Sequence, residues 1–252
     1  MTSICLTRSG ITKARSKSPK LFAERKMKMM DLSKSYDYFQ PEKDTARIHI
    51  IGCGSVGATV AENLARCGVT KMTLWDFDTV EPHNLANQIF RQKDIGKTKV
   101  ESLLDILKEI NPDIVDDVEL KPKGWQGKVL SGYIFLCVDN IDLRRKFVEL
   151  HMDSPYVKAM FDFRTRLEDA QHYAADWSDD KMKKDFLATM QFTHEEAKEE
   201  TPVSACNVTL SVCPTVRIIC AYGVSNFMNF WNGKPIKKMI LADAFHYIVD
   251  AF

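Results

Sequence analysis

The sequence predicts an α/β protein: a doubly wound, mostly parallel sheet with a C-terminal antiparallel extension. Three observations lead there. A strand-like run, "ARIHII" (46–51), passes directly into the glycine-rich "GCGSVG" and then into the helical "ATVAENLARCG". Strand-like and helix-like segments then alternate, as they do in a sheet covered on both faces by helices. "YIFLCVDN" (133–140) is apolar without alternation, as a strand buried on both faces must be.

Each element follows from local pattern. In the helix after the glycine turn, Val60, Leu64 and Cys67 fall on one face and Gly68 is placed as a C-cap. "KMTLWDFD" (71–78) reads as a second strand ending in Asp76 and Asp78. "KTKVESLLDILKEINP" is a helix with Val100, Leu103, Leu104 and Leu107 inward, closed by Pro112. "DLRRKFVELHMD" is a helix after the "YIFLC" strand. "YVKAMFDFRTR" (156–166) reads as a further strand whose Asp162 and Arg164 either touch a substrate or form a surface ion pair. "EDAQHYAADW" suits an antiparallel extension, and "SDDKMKKDFLATM" a short helix with a Ser/Asp cap. "THEEAKEETP" reads as a charged loop or helix end. A long apolar helix follows "TPVSAC", and "KKMILADAFHYIVDAF" supplies one or two closing strands.

Composition narrows the function classes. The 252 residues are 45% apolar and 27% charged, with a formal net charge of +1, a soluble globular balance. Neither nucleic acid nor an anionic membrane is expected as a partner, because no bulk positive charge would attract them. No run reaches the ~18 apolar residues of a membrane span. Seven scattered cysteines, an odd number, fit a reducing, cytoplasmic setting. Residues 1–36 are set apart as a basic tail expected to be disordered, with Arg8, Lys13, Arg15, Lys17, Lys20, Arg25, Lys26 and Lys28 against Glu24. A transit peptide, or a start at Met27, Met29 or Met30, are the alternatives for it. Residues 37–252 form one domain, with its legible core at 46–164.

The glycine turn sits where a phosphate site belongs. Gly52, Gly54 and Gly57 match G-x-G-x-x-G: the first permits the turn, the second lets backbone approach phosphates, and the third lets helix pack on strand. The helix N-terminus offers free N–H groups to an anion. Asp76, 24 residues after Gly52, ends the next strand where an acid can bind ribose hydroxyls. These features alone do not separate a dinucleotide from ATP.

The material after Asp76 does. The glycine turn, a D-x-D-x-V loop (Asp76 to Val80), an N-x-x-[RN]-Q element (Asn84, Asn87, Gln88), an I-G-x-x-K helix start ending at Lys99, and "CVDN" around Asp139 occur in order between Arg47 and Asp142. This stretch resembles the Rossmann-like nucleotide-binding core of the ThiF/MoeB/ubiquitin-activating enzyme superfamily. The resemblance implies ATP and Mg²⁺ as cofactors and ATP-dependent adenylation of the C-terminal glycine of a ubiquitin-like or sulfur-carrier protein. It also implies a homodimer. It assigns Asp76 to the ribose, with Asp78 beside it, Asn84 and Lys99 to the phosphates, and Asp139 to the magnesium ion. The plain alternatives are a solvated first-turn lysine at Lys99, a capping pair at Asp139 and Asn140, and a turn residue at Asn84.

Three departures from the family pattern matter. Many members read N-x-x-R-Q, with the arginine on the triphosphate, and here Asn87 stands in its place. An amide cannot replace a guanidinium's charge. Either Arg91, four residues on and on the same face if the stretch is helical, supplies it, or another subunit does, or adenylation is weak. The N-terminal arginine that the family donates across its dimer has only Arg25 as a loose counterpart, since Arg47 lies on a strand. The family's paired C-x-x-C motifs are absent, so no structural zinc is expected. Cys206, Cys213 and Cys220 are seven apart, about 10.5 Å per step along a helix, too far to share one ion. Cys213 and Cys220 are read as packing residues. Cys206, just before the long helix, resembles by position the cysteine that takes the activated carboxylate as a thioester, the alternative being a buried or merely structural cysteine. Two other functions stay open: a catalytically silent partner subunit, and a nicotinamide-dependent oxidoreductase, which would leave the Asn84 to Lys99 loop unexplained.

Overall fold

The computed structural model describes residues 30–199, 203 and 210–252. Eight strands form one sheet: β1 Ile48–Ile51, β2 Met72–Trp75, β3 Glu119–Lys121, β4 Gly132–Leu136, β5 Val157–Thr165, β6 Asp169–Asp176, β7 Met239–Asp243 and β8 Ile248–Ala251. Their spatial order is β3-β2-β1-β4-β5-β6-β7-β8. The first five run parallel, and β6, β7 and β8 add antiparallel hairpins. The mostly parallel sheet and its antiparallel extension are those the sequence predicts.

The helices are α1 Ser55–Arg66, α2 Lys99–Ile110, α3 Ile141–His151, α4 Asp180–Ala188, α5 His194–Glu199 and α6 Cys213–Trp231. On one face of the sheet α1, α2 and α6 bury Val60, Leu64, Val100, Leu103, Leu107 and Phe227 against β1, β4 and β5. On the other, α3 and α4 bring Phe147, Val148 and Phe186 against Ile51, Trp75, Ile134 and Leu136. Burial on both sides explains why β1, β2 and β4 carry no polar alternation, since all their residues are buried. α6 crosses close over the sheet at Gly223, where a Cβ would stand 2.1 Å from the Phe163 ring.

Several expectations need correction. β3 is an unforeseen parallel edge strand of three partly exposed residues. Residues 30–36, assigned to the tail, pack on the domain: the Met30 N–H donates to Asp113 at 3.2 Å, and Leu32 covers Gly68. Gly68 does follow α1 with a positive φ of 87°, and its N–H closes onto Ala65. Asp162 and Arg164 make no surface pair, because Asp162 is fully buried in the sheet. The long helix begins at Cys213, seven positions after Cys206 in the sequence. Cys206 and the tail through residue 29 lie outside the described residues. Among the described residues no helix is long and apolar enough to cross a membrane.

Candidate active site

β1 sits between β2 and β4, where the chain's crossovers part to opposite faces, and ligands of such sheets bind outside the strands' carboxyl ends at that point. The glycine turn lies there. Gly52 has φ of 91°, and a Cβ on it would meet the Cys137 carbonyl and Val138 N at 2.9 Å. The β1 turn and the turn after β4 therefore touch backbone to backbone. A Cβ on Gly57 would stand 1.8 Å from the Gly52 oxygen, so α1 folds onto its strand only with glycine there. Gly54 differs: nothing among the described residues lies within 4 Å of its missing side chain, and as N-cap of α1 it provides no side-chain cap. An open approach to an uncapped helix N-terminus suits a phosphate.

Asp76 is positioned from two directions. Its carboxylate accepts the Cys53 N–H at 2.6 Å and the Asp78 N–H at 2.8 Å. Burial raises its pKa, and those two bonds with the nearby Lys99 charge only partly offset the rise. Cys53 beneath it is fully buried, and its thiol is pushed well up by that burial and by the Asp76 charge.

The loops carrying Asp78 and Lys99 are joined by backbone. Thr79 bridges to Thr98, Val80 N–H donates to Lys97, and Lys99 N–H donates to Asp78. Thr98 caps α2 by accepting the Glu101 N–H, which fixes Lys99 as its first residue. Lys99 is 8% exposed, and its ammonium donates to Asp78 at 2.7 Å. Both line a cleft of about 280 Å³ with Phe77, Glu81, His83 and Asn84. Asn84 Oδ1 accepts the Glu81 N–H at 2.9 Å, which fixes the orientation of the amide. Phe77, Glu81 and His83 escaped the sequence reading, although their place between Asp76 and Asn84 was the available signal.

Two residues fall elsewhere. The stretch 82–86 is a 3-10 turn ending at Asn87, and Arg91 is extended, so the two share no helical face. The Arg91 guanidinium bonds Asp94 at 2.9 Å and Glu109 at 2.8 Å. Asp94 is fully buried, and Arg91's hydrogen bonds overcome the burial penalty and hold its pKa low. A buried carboxylate claims the charge that the sequence reading gave to a triphosphate. Asn87 is half-buried, and Gln88 has a buried Oε1 with no hydrogen-bond partner among the described residues.

Asp139 follows β4 at the turn that touches Gly52, exposed, beside Asn140, whose side chain caps α3 by accepting the Leu143 N–H at 2.9 Å. A magnesium ion reaching a phosphate site keeps waters and takes one or two carboxylates, so a single free acid beside the glycine turn fits it. Among the described residues no group of three or more His, Cys, Asp or Glu is assembled for a metal. Cys220 is buried with its thiol pushed up, and Cys213 is half-buried at the start of α6.

The sequence matches the ThiF family over residues 27–249. The chain belongs to the ThiF family. It is 44% identical to ubiquitin-like modifier-activating enzyme 5 of Arabidopsis thaliana over 68 residues, 27% of this chain and 16% of that one. It is 34% identical to the enzyme of the same name from Caenorhabditis briggsae over 123 residues, 43% of this chain and 28% of that one. These matches span less than a third of either relative. Among solved structures, PaaA superposes with a TM-score of 0.67 at 15% identity, covering 95% of this chain and 85% of that one. E. coli MccB with ATP superposes at 0.62 and 18% identity, covering 82% and 63%. At such identities the likeness is one of fold.

Proposed function

We propose that this ThiF-family protein activates a carboxylate with ATP, adenylating the C-terminal glycine of a ubiquitin-like or sulfur-carrier protein. The observation that carries the reading is the convergence of Lys99, Asp78 and Asn84 on one cleft, next to the pinned Asp76 carboxylate and an uncapped helix N-terminus. The names of its relatives, and a structural neighbour crystallised with ATP, support it.

A carboxylate oxygen attacks the α-phosphorus, the bond from that phosphorus to the α–β bridging oxygen breaks, and pyrophosphate leaves. Both partners are anionic, so the site must supply positive charge where negative charge gathers. Lys99 supplies it on exchanging Asp78 for the phosphates. The N–H groups at the start of α1 bind phosphate oxygens, and Asp76 holds the ribose. Asp139 is the residue to hold magnesium, which would neutralise phosphate charge when bound. Asn84 donates its amide to a phosphate oxygen, with Asn87 and Gln88 bordering it. Transfer of the acyl group to Cys206, with AMP leaving, a homodimeric assembly and a cytoplasmic setting complete the reading.

A second reading, a silent partner subunit that keeps the fold, is favoured by one observation: Asn87 lacks a charge and Arg91 is bound by Asp94 and Glu109. ATP–pyrophosphate exchange with Gly-Gly-ended carrier proteins separates the two. Exchange that needs a carrier, is lost in Asp139→Ala and Lys99→Ala, and survives Cys206→Ala supports adenylation. ATP binding without exchange, for every carrier, favours the silent partner.

A further inference from the structure

The turn that carries Asp139 is gripped by a residue of α3, the helix that follows it. Arg144, in the first turns of α3, is buried to 6% exposure beside a fully buried Asp162 on β5. Its guanidinium reaches back six residues to the Val138 carbonyl, with Nε donating at 2.8 Å and a second nitrogen donating to the same oxygen. The remaining nitrogen donates to Asp162 and, at 2.8 Å, to the Phe163 carbonyl. Asp162 is held from the other side by Arg164 at 2.7 Å, and Arg164 also donates to the Thr189 carbonyl and hydroxyl, both at 2.8 Å.

A buried arginine–carboxylate pair with a second, partly buried arginine is a poor way to gain stability, since apolar replacements of equal volume often serve as well. What it provides is direction. Val138 is fixed by Arg144, and Asn140 is fixed by capping α3. Asp139 lies between these two anchored residues, and its carboxylate makes no hydrogen bond or ion pair with the described residues. The same turn abuts Gly52, so an error of about an ångström in Val138 would displace both the phosphate turn and Asp139.

We propose that Arg144, seated by Asp162, is a positioning residue that fixes the Val138–Asn140 turn and so aims the Asp139 carboxylate at the nucleotide's metal ion. The inference rests on the adenylation reading for the role of Asp139, while the clamp itself stands on the geometry.

The test compares wild type with Arg144→Lys, and with the apolar pair Arg144→Met and Asp162→Leu should the lysine variant fail to fold. Arg145→Lys, a neighbour on the same helix that bonds the Met190 carbonyl, controls for local damage to α3. Thermal melting, amide hydrogen exchange of residues 137–141, and ATP binding with and without magnesium are read on the full chain. In Arg144→Lys the expected result is a Tm within a few degrees of wild type and exchange at 137–141 faster by tenfold or more. Affinity for Mg–ATP falls tenfold or more, and affinity for magnesium-free ATP changes less than threefold. Arg145→Lys leaves all four unchanged. Unaltered exchange at 137–141, or equal losses with and without magnesium, overturns the proposal. Failure of the wild type to bind any nucleotide overturns the nucleotide reading along with it, while the exchange data still report whether the clamp holds the turn.

Discussion

Lys99 is the clearest case of a side chain whose role depends on where its neighbours put it. As first residue of α2 it could extend into water, yet Thr98's cap and the bridge to Thr79 lay it against Asp78 inside the cleft. Replacing it with methionine keeps the packing stem and removes the charge, so pyrophosphate exchange should fall by about a hundredfold or more with little change in Tm. A fall in Tm matching the fall in rate would instead make Lys99 a structural residue. The positions of Asp76, Asn84, Lys99 and Asp139, though not their roles, could be anticipated because each lies in a contiguous motif whose neighbours fix its place. Arg91 was not, because its partner Glu109 is eighteen residues on and Asp94 is buried, facts that periodicity cannot carry. Asp162 and Arg164 were misplaced for the same reason: a polar pair on a strand looks like surface until the helices covering both faces are known.

At the scale of elements, close approach sets the tolerances. Gly57→Ala would drive a Cβ into backbone, where nothing can yield, and should unfold the β1–α1 unit or cost more than about 3 kcal/mol in urea denaturation. Gly223→Ala meets the buried Phe163 ring and should cost about 1–3 kcal/mol by the same measurement. Asn140→Ala removes one cap from α3 and should cost only about 1 kcal/mol. A ranking in which the cap costs more than the glycine contacts would contradict this account. The long elements were readable from sequence because a buried helix or strand repeats its pattern over many residues. β3 was not: with three partly exposed residues it has no pattern of its own and exists only because β2 offers it an edge.

For the whole molecule, pH is a direct probe of how the layers are stacked. His49 and His172 lie inside the two packing layers, and burial lowers each from its ordinary value near 6.5 to about 4. The unfolded chain then binds more protons between those values, so stability should be full above pH 6.5 and decline as pH falls toward 4. The slope is at most about 1.4 kcal/mol per pH unit for each histidine. Buried Asp76, whose pKa is raised, works weakly the other way. Urea melts from pH 7.5 to 4.5 check this, and His172→Gln should flatten the curve. A stability that does not change over that range would mean the histidines are not buried as described. The doubly wound part of the sheet could be read from the alternation of strand and helix, whereas the order in which β6, β7 and β8 extend it depends on α6, whose crossing no local signal reveals.

The Lys99–Asp78 pair has a kinetic consequence. With its cation already matched to an anion, and with Glu81 in the same cleft, the mouth presents little net positive field to an approaching polyanion. Long-range attraction of the kind that speeds charged partners toward each other is therefore missing, and capture depends on a swap of partners made only at contact. The association rate of a triphosphate should change little with ionic strength, and Asp78→Asn, by leaving the lysine unmatched, should make that rate both faster and steeply salt-dependent.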